Sequence, residues 1–244
     1  MSAQFYVSPE QLMKDRADFA RKGIARGRSV IVASCRDGIA LIAENPSRTL
    51  RKIGEIYDRI AFAAVGKYNE FESLRQAGVR YADTRGYSYD REDVTGRGLA
   101  SVYAQSLGAV FTADTKPFEV ELAVAEVGDD PAADQLYRVN FDGSISDESG
   151  VVVMGGDAQA LATALDAAWG SRHLAGTPFD EVIRTAAAAL PQAAGSPEAG
   201  TLDADLFEVA VLDRAPADPR ATRRTFRRYG KDEVLRTLGG KDGA

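Results

Sequence analysis

Apolar and polar positions change period several times along the chain. "SVIVASC" and "GIALIAE" are apolar runs of strand length, and Arg36-Asp37-Gly38 between them carries an Asp-Gly hairpin signal. "KIGEIYD" and "RIAFAAVG" predict a second strand pair, turning at Asp58-Arg59. The period then lengthens: Phe71, Leu74 and Val79, and after them Leu99, Val102, Tyr103 and Leu107, recur at helical spacing. "FEVELAVAEVG" and "QLYRVNFDG" alternate, and "GVVVMGG" reads as a buried run, with Asp142-Gly143 marking the turn between the last two. "DAQALATALDAAWGSR" and "PFDEVIRTAAAALPQAA" predict two more helices, and "ADLFEVAVLDR" another strand. "FRRYGKDEVLRTL" predicts a short strand and a closing short helix.

A helix is expected ahead of the first hairpin. Ser8-Pro9-Glu10-Gln11 supplies a cap, a proline at the first helical position and a glutamine where a capping box requires one. Leu12, Phe19 and Ile24 form a thin apolar stripe, and Gly23 is the expected stop. So charged a helix is suited to packing on a neighbour rather than on its own core. The seven residues before Ser8 have no partner in the sequence and are expected to be mobile.

The expected order is one helix, four strands, two helices, three strands, two helices, one or two strands and a last helix. Blocks of one type argue against a parallel doubly wound sheet. They fit an α+β fold, a four-layer α-β-β-α sandwich of two antiparallel sheets. The expected division is one domain over 1–244: a mobile segment 1–8, a helix 9–24, the sandwich 28–238 and a flexible tail 239–244.

Composition narrows the function. Of 244 residues, 45% are hydrophobic, enough for a full core, and the formal charge of −6 disfavours nucleic-acid binding. The single cysteine, Cys35, excludes an intrachain disulfide framework and sits in no activating surroundings. No apolar run approaches the roughly 20 residues of a bilayer span. The N-terminus lacks the apolar core of a secretory signal, so a cytoplasmic location and no membrane partner are expected. His173 is the sole histidine, which disfavours histidine-metal clusters and a Ser-His-Asp triad. Asp129, Asp130 and Asp134 read as a hairpin turn rather than a metal site. "GGDAQA" lacks the spacing and lysine of a P-loop, and its glycines read as the start of a helix. No cofactor and no metal are expected.

Four stretches carry a family resemblance: "YVSPEQLMKDRADFARKGIARG", "KPFEVELAVAEV", "LYRVNFDGSISDESGVVVMGGDAQA" and "FRRYGKDEVLRTL". In this order, over residues 8–238, they resemble the α-type subunits of the proteasome 20S core family, in their actinobacterial form. The resemblance implies the N-terminal nucleophile hydrolase fold. In the catalytic β-type relatives, self-cleavage exposes a threonine at the start of the first strand, and its α-amine activates its own hydroxyl. Counted from the Asp37-Gly38 turn, the threonine position falls on Arg28, the acid on Glu44 and the lysine on Lys52. Arginine cannot be the nucleophile. Ser29 follows it, but self-cleavage in the family needs the hydroxyl residue directly after a glycine, and Gly27 precedes Arg28.

The resemblance therefore implies a non-catalytic subunit that forms heptameric outer rings and templates the catalytic rings. A self-processing hydrolase using Ser29 is the alternative, and a ring scaffold without a protease partner is a third reading. Lys52 resembles the lysine that pairs with the C-terminal carboxylate of a ring ATPase activator's tail, with Arg48 and Arg51 adding positive potential. Residues 1–7 resemble a gate over an axial pore, with Phe5, Tyr6 and Val7 as the occluding residues and Ser8 and Pro9 as the turn behind them. The helix from Pro9 would cover the mouth of the old site. The implied partners are β-type subunits, further copies of the chain and the activator. The basic run Arg220, Arg223, Arg224, Arg227, Arg228 and Lys231 reads as a solvated face, available to an acidic ring neighbour.

Overall fold

The computed structural model describes residues 8–113, 116–170, 174–193, 203–215 and 224–239. Helix α1 (Pro9–Ala25) precedes strands β1 (Val30–Cys35), β2 (Gly38–Glu44), β3 (Ile53–Tyr57) and β4 (Ile60–Gly66). Helices α2 (Tyr68–Ser88) and α3 (Gly96–Ala113) follow, then β5 (Val120–Glu126), β6 (Gln135–Val139), β7 (Ile145–Asp147) and β8 (Val151–Met154). Helices α4 (Ala158–Trp169) and α5 (Phe179–Ala193) lead to β9 (Phe207–Asp213), β10 (Phe226–Arg228) and α6 (Lys231–Gly239).

Two five-stranded antiparallel sheets result, ordered β10-β9-β2-β1-β8 and β3-β4-β5-β6-β7. Each strand alternates its side chains between two faces. In β1, Val30 and Val32 enter the layer between the sheets, while Ile31, Ala33 and Cys35 face the α4–α5 layer. On the other sheet, Phe62 and Ala64 of β4 pack with Leu99, Tyr103 and Leu107 of α3. Both faces of the central strands are buried, so these strands read as continuous apolar runs although the sheets are antiparallel. The expected four-layer sandwich is the observed one.

Local differences have physical causes. The Ser8 hydroxyl accepts from Gln11 N–H at 3.2 Å, but the Gln11 side chain donates to Asp15 at 2.6 Å, so only half of the capping box forms. Helix α1 runs through Gly23 to Ala25. A Cβ on Gly23 would stand 2.0 Å from the Glu119 carboxylate, so this glycine permits close approach and does not stop the helix. Leu12 and Phe19 are 44% and 48% exposed; the inward face is Ala20 and Ile24. Asp142-Gly143 turns β6 into β7, a strand of three residues too short and polar to read in advance. Gly143 has φ of 84°, where a side chain is strained. The run "GVVVMGG" is an edge strand, with Val152 and Met154 buried and Val151 and Val153 half-exposed. At the C-terminal end α6 includes Gly239, one residue into the expected tail.

Asp134 is more than a turn residue. It takes a bidentate pair from Arg214, at 2.8 and 2.9 Å, together with the Ser34 hydroxyl at 2.6 Å and Gly128 N–H at 2.8 Å. Arg214 also donates to the Gly128 and Cys35 carbonyls, at 2.7 and 3.1 Å. The cluster joins the β1–β2 turn and the end of β9 to the β5–β6 loop, hence one sheet to the other. The Asp134 side chain is 2% exposed. Removing one partner of a buried pair leaves an uncompensated charge. Asp134→Ala is therefore expected to lower stability by about 3–5 kcal/mol in urea unfolding, a range typical of broken buried pairs.

Candidate functional site

The end of the sandwich opposite Asp134 holds the residues singled out in the sequence. Arg28 and Ser29 lie between α1 and β1, on a chain continuous from the helix into the strand. The Arg28 guanidinium donates to Glu44 at 2.6 Å. Lys52 extends its ammonium to the Arg28 carbonyl at 2.6 Å. The three residues counted from the Asp37-Gly38 turn are thus brought together, with Arg28 bound to both Glu44 and Lys52. Ser29 is buried, and its hydroxyl donates to the Gly155 carbonyl at 3.1 Å. Its amine is a peptide nitrogen, so it has no free base of its own.

Burial pushes the Lys52 ammonium down to about 8, and Arg28 pushes the same way; Glu44 and Glu208 oppose them without cancelling the desolvation. An ammonium has three N–H donors. One reaches the Arg28 carbonyl, which leaves capacity for an anion. Arg48 adds less potential than the sequence suggested, since its guanidinium lies 3.5 Å from Asp205. Arg51 is exposed beside the lysine.

Glu208 on β9 holds Lys52 in place, and sequence reasoning missed it. Its carboxylate accepts from Lys52 N–H at 2.9 Å, Ile53 N–H at 3.4 Å and the Asn45 amide at 2.8 Å, and pairs with Arg228. Arg228 also donates to the Ile53 carbonyl at 2.7 Å, and Asn45 to the Leu50 carbonyl at 2.8 Å. The loop from Asn45 to Ile53 is therefore tied to one buried carboxylate. A lone acid inside the apolar run "LFEVAVL" was the available signal.

Helix α1 closes this end. Ala20 and Ile24 join the inter-sheet core, and Arg16 donates to the carbonyls of Phe111 and Thr112 at 2.7 and 3.2 Å. Phe5, Tyr6 and Val7 lie outside the described residues, as do His173, Arg220 and Arg223. Ser8 caps the helix that Pro9 begins. The rest of the basic run is not a free solvated face: Arg224 pairs with Glu55, Arg227 with Glu233, Arg228 with Glu208 and Lys231 with Asp205. Asp129 pairs with Arg59, and Asp130 accepts from the N–H groups of Ala132 and Ala133. Asp157 caps α4, as the glycine pair before it suggested. Burial raises the Cys35 thiol to about 11, which makes it a poor nucleophile. No described helix is long and apolar enough to cross a membrane.

A four-layer sandwich of two antiparallel five-stranded sheets, with a helix ahead of its first strand, defines a chain built on the N-terminal nucleophile hydrolase fold. A family model described as "Proteasome subunit" matches residues 24–212. The chain is 67% identical over 238 residues to a "Proteasome subunit alpha" of Arthrobacter sp. (strain FB24), covering 98% of each. It is 66% identical over 239 residues to the protein of that name from Pseudarthrobacter chlorophenolicus, covering 98% of this chain and 100% of the relative. With that from Kineococcus radiotolerans the identity is 58% over 244 residues, covering 98% and 99%. The chain belongs to the proteasome subunit family, within its α-type subunits.

Glu208→Gln removes the charge opposite Arg228 while keeping the shape. It is expected to cost about 3–5 kcal/mol, the range for breaking a buried pair. The double variant Glu208→Gln/Arg228→Met is expected to recover part of that loss. Amide exchange at residues 45–53 is expected to accelerate in the single variant, by mass-spectrometric hydrogen exchange.

Proposed function

We propose that the chain is the non-catalytic subunit of a threonine-type protease complex, closing outer rings of seven copies on catalytic β-type rings in the cytoplasm. In this reading residues 1–8 form a gate, with Phe5, Tyr6 and Val7 in the pore and Ser8 and Pro9 setting their exit. The segment beyond α6 is a free tail. Lys52 receives the C-terminal carboxylate of a ring ATPase activator's tail. One observation supports the reading: Arg28, which falls at the position counted as the nucleophile's, is bound to Glu44, while Lys52 keeps donors for an anion. Peptide hydrolysis then belongs to the partner subunits, and the chain's work is assembly, gating and docking.

Native mass spectrometry of the chain, alone and with a β-type partner, tests the assembly, with peptidase activity read on the same samples. An untrimmed chain, inactive alone and active in a four-ring particle, is expected. A self-trimmed chain with its own activity would overturn the proposal. The docking role has a separate test in a peptide with a free C-terminal carboxylate and its C-terminal amide. The acid is expected to bind and the amide not; Lys52→Ala is expected to abolish binding and leave ring assembly intact. Since Lys52 loses its charge as the pH rises through about 8, affinity for the acid is expected to fall above that pH.

A further inference from the structure

Strand β8, four residues long, is the outer member of its sheet, and no described residue pairs with its free edge. Proteins protect such edges with charges, prolines or bulges that stop a further strand from adding. Val151-Val152-Val153-Met154 carries no charge and no proline, and its register with β1 has no shift. Ser34 N–H donates to the Gly150 carbonyl at 2.8 Å, which makes this a hydrogen-bonded pair. Such pairs alternate along an antiparallel ladder, so the main-chain groups of Val152 and Met154 face β1. Those of Val151 and Val153 face outward.

Beside this edge runs a groove of about 530 Å³ between β8 and α4. Val151, Val153, Leu165 and Trp169 supply its apolar lining, with Glu148 and Asp166 among its polar residues. Trp169 is 8% exposed, yet its indole N–H has no acceptor among the described residues. A buried donor without a partner is costly and rare in a native fold. Asp166 is exposed and has no ion-pair partner among the described residues. Arg138, the cation lining the groove, is engaged by Glu121.

We propose that the β8–α4 groove docks an extended, basic segment of a partner protein, added as a strand on β8. The outward N–H and C=O groups of Val151 and Val153 take its main chain. Alternate side chains of the added strand enter the apolar lining, and the others carry cations toward Glu148 and Asp166. The buried indole N–H gains a carbonyl acceptor. Charge favours this occupant over a second copy of the chain pairing edge to edge, because two identical rims would bring the same carboxylates together.

Trp169 is the only tryptophan in the chain, so its emission reports on the groove directly. The probe is the hexapeptide Lys-Val-Lys-Val-Lys-Val, titrated against the full chain. A saturable change in emission is expected. Peptide N-methylated at alternate amides is expected to bind roughly tenfold more weakly, as is the variant Val153→Pro, which removes one outward N–H; one lost hydrogen bond is of that order. The exposed substitution Asp166→Lys is also expected to weaken binding, most at low salt. Unchanged emission would overturn the proposal, and so would binding indifferent to both N-methylation and Asp166→Lys. An emission change that tracks the chain's own self-association in sedimentation, with no response to peptide, would assign the edge to a second copy and overturn it as well.

Discussion

Two buried carboxylates, one at each end of β9's neighbourhood, decide how the sheets meet. The layer between the sheets is rich in small side chains: Ala43, Ala61, Ala63, Ala123, Ala125 and Ala210. Alanines bury area but interlock poorly, so they leave the alignment of the sheets freer than the larger side chains among them, such as Leu41, Ile53 and Leu136, would alone. Asp134 and Glu208 remove that freedom. Each collects main-chain and side-chain donors from both sheets and is countered by an arginine. Such pairs add little net stability against an apolar alternative, but they accept only one alignment. Here that alignment brings Arg28, Glu44 and Lys52 into contact.

The proposed docking role depends on which groups meet at this end of the scaffold. A threonine-type site needs a free amine, a hydroxyl and a lysine close together. Here Arg28 donates to Glu44 and its carbonyl accepts from Lys52, while its own amine lies in a peptide bond. Glu44 is then engaged by Arg28, and Lys52 is the group left under-compensated. Desolvation outweighs the acids around it, so its charge is held at a cost. In the proposed docking role an incoming carboxylate would lower that cost and couple its binding to proton uptake at Lys52.

Local features were legible in the sequence because their causes are local. The Asp37-Gly38 hairpin, the Ser8-Pro9 helix start and the order of blocks follow from turn chemistry and period. What could not be read depends on contacts far along the chain. Gly23 looks like a stop until Glu119 is placed beside it. Glu208 looks like a misplaced acid until Asn45, Lys52 and Arg228 surround it. "GVVVMGG" looks central because half of it is buried like a central strand; only the sheet order makes it an edge. The candidate site was legible through its family resemblance. Counting from one turn named Arg28, Glu44 and Lys52, which the structure brings into contact, whereas nothing local in their residue types would have united them.

Exposed apolar residues bear on assembly more than any single site does. Leu12, Met13 and Phe19 line the outside of α1, and Tyr87 and Tyr89 stand at the end of α2. Scattered apolar exposure, such as that of Leu50, Ile145, Leu206 and Leu235, is normal on a monomer, but these five are grouped at two helices. A closed ring of identical subunits needs two different faces on each, because its contacts run head to tail. Stacking that ring on another needs a third. A chain whose two sheets are already covered by its own helices cannot use these residues for its own core.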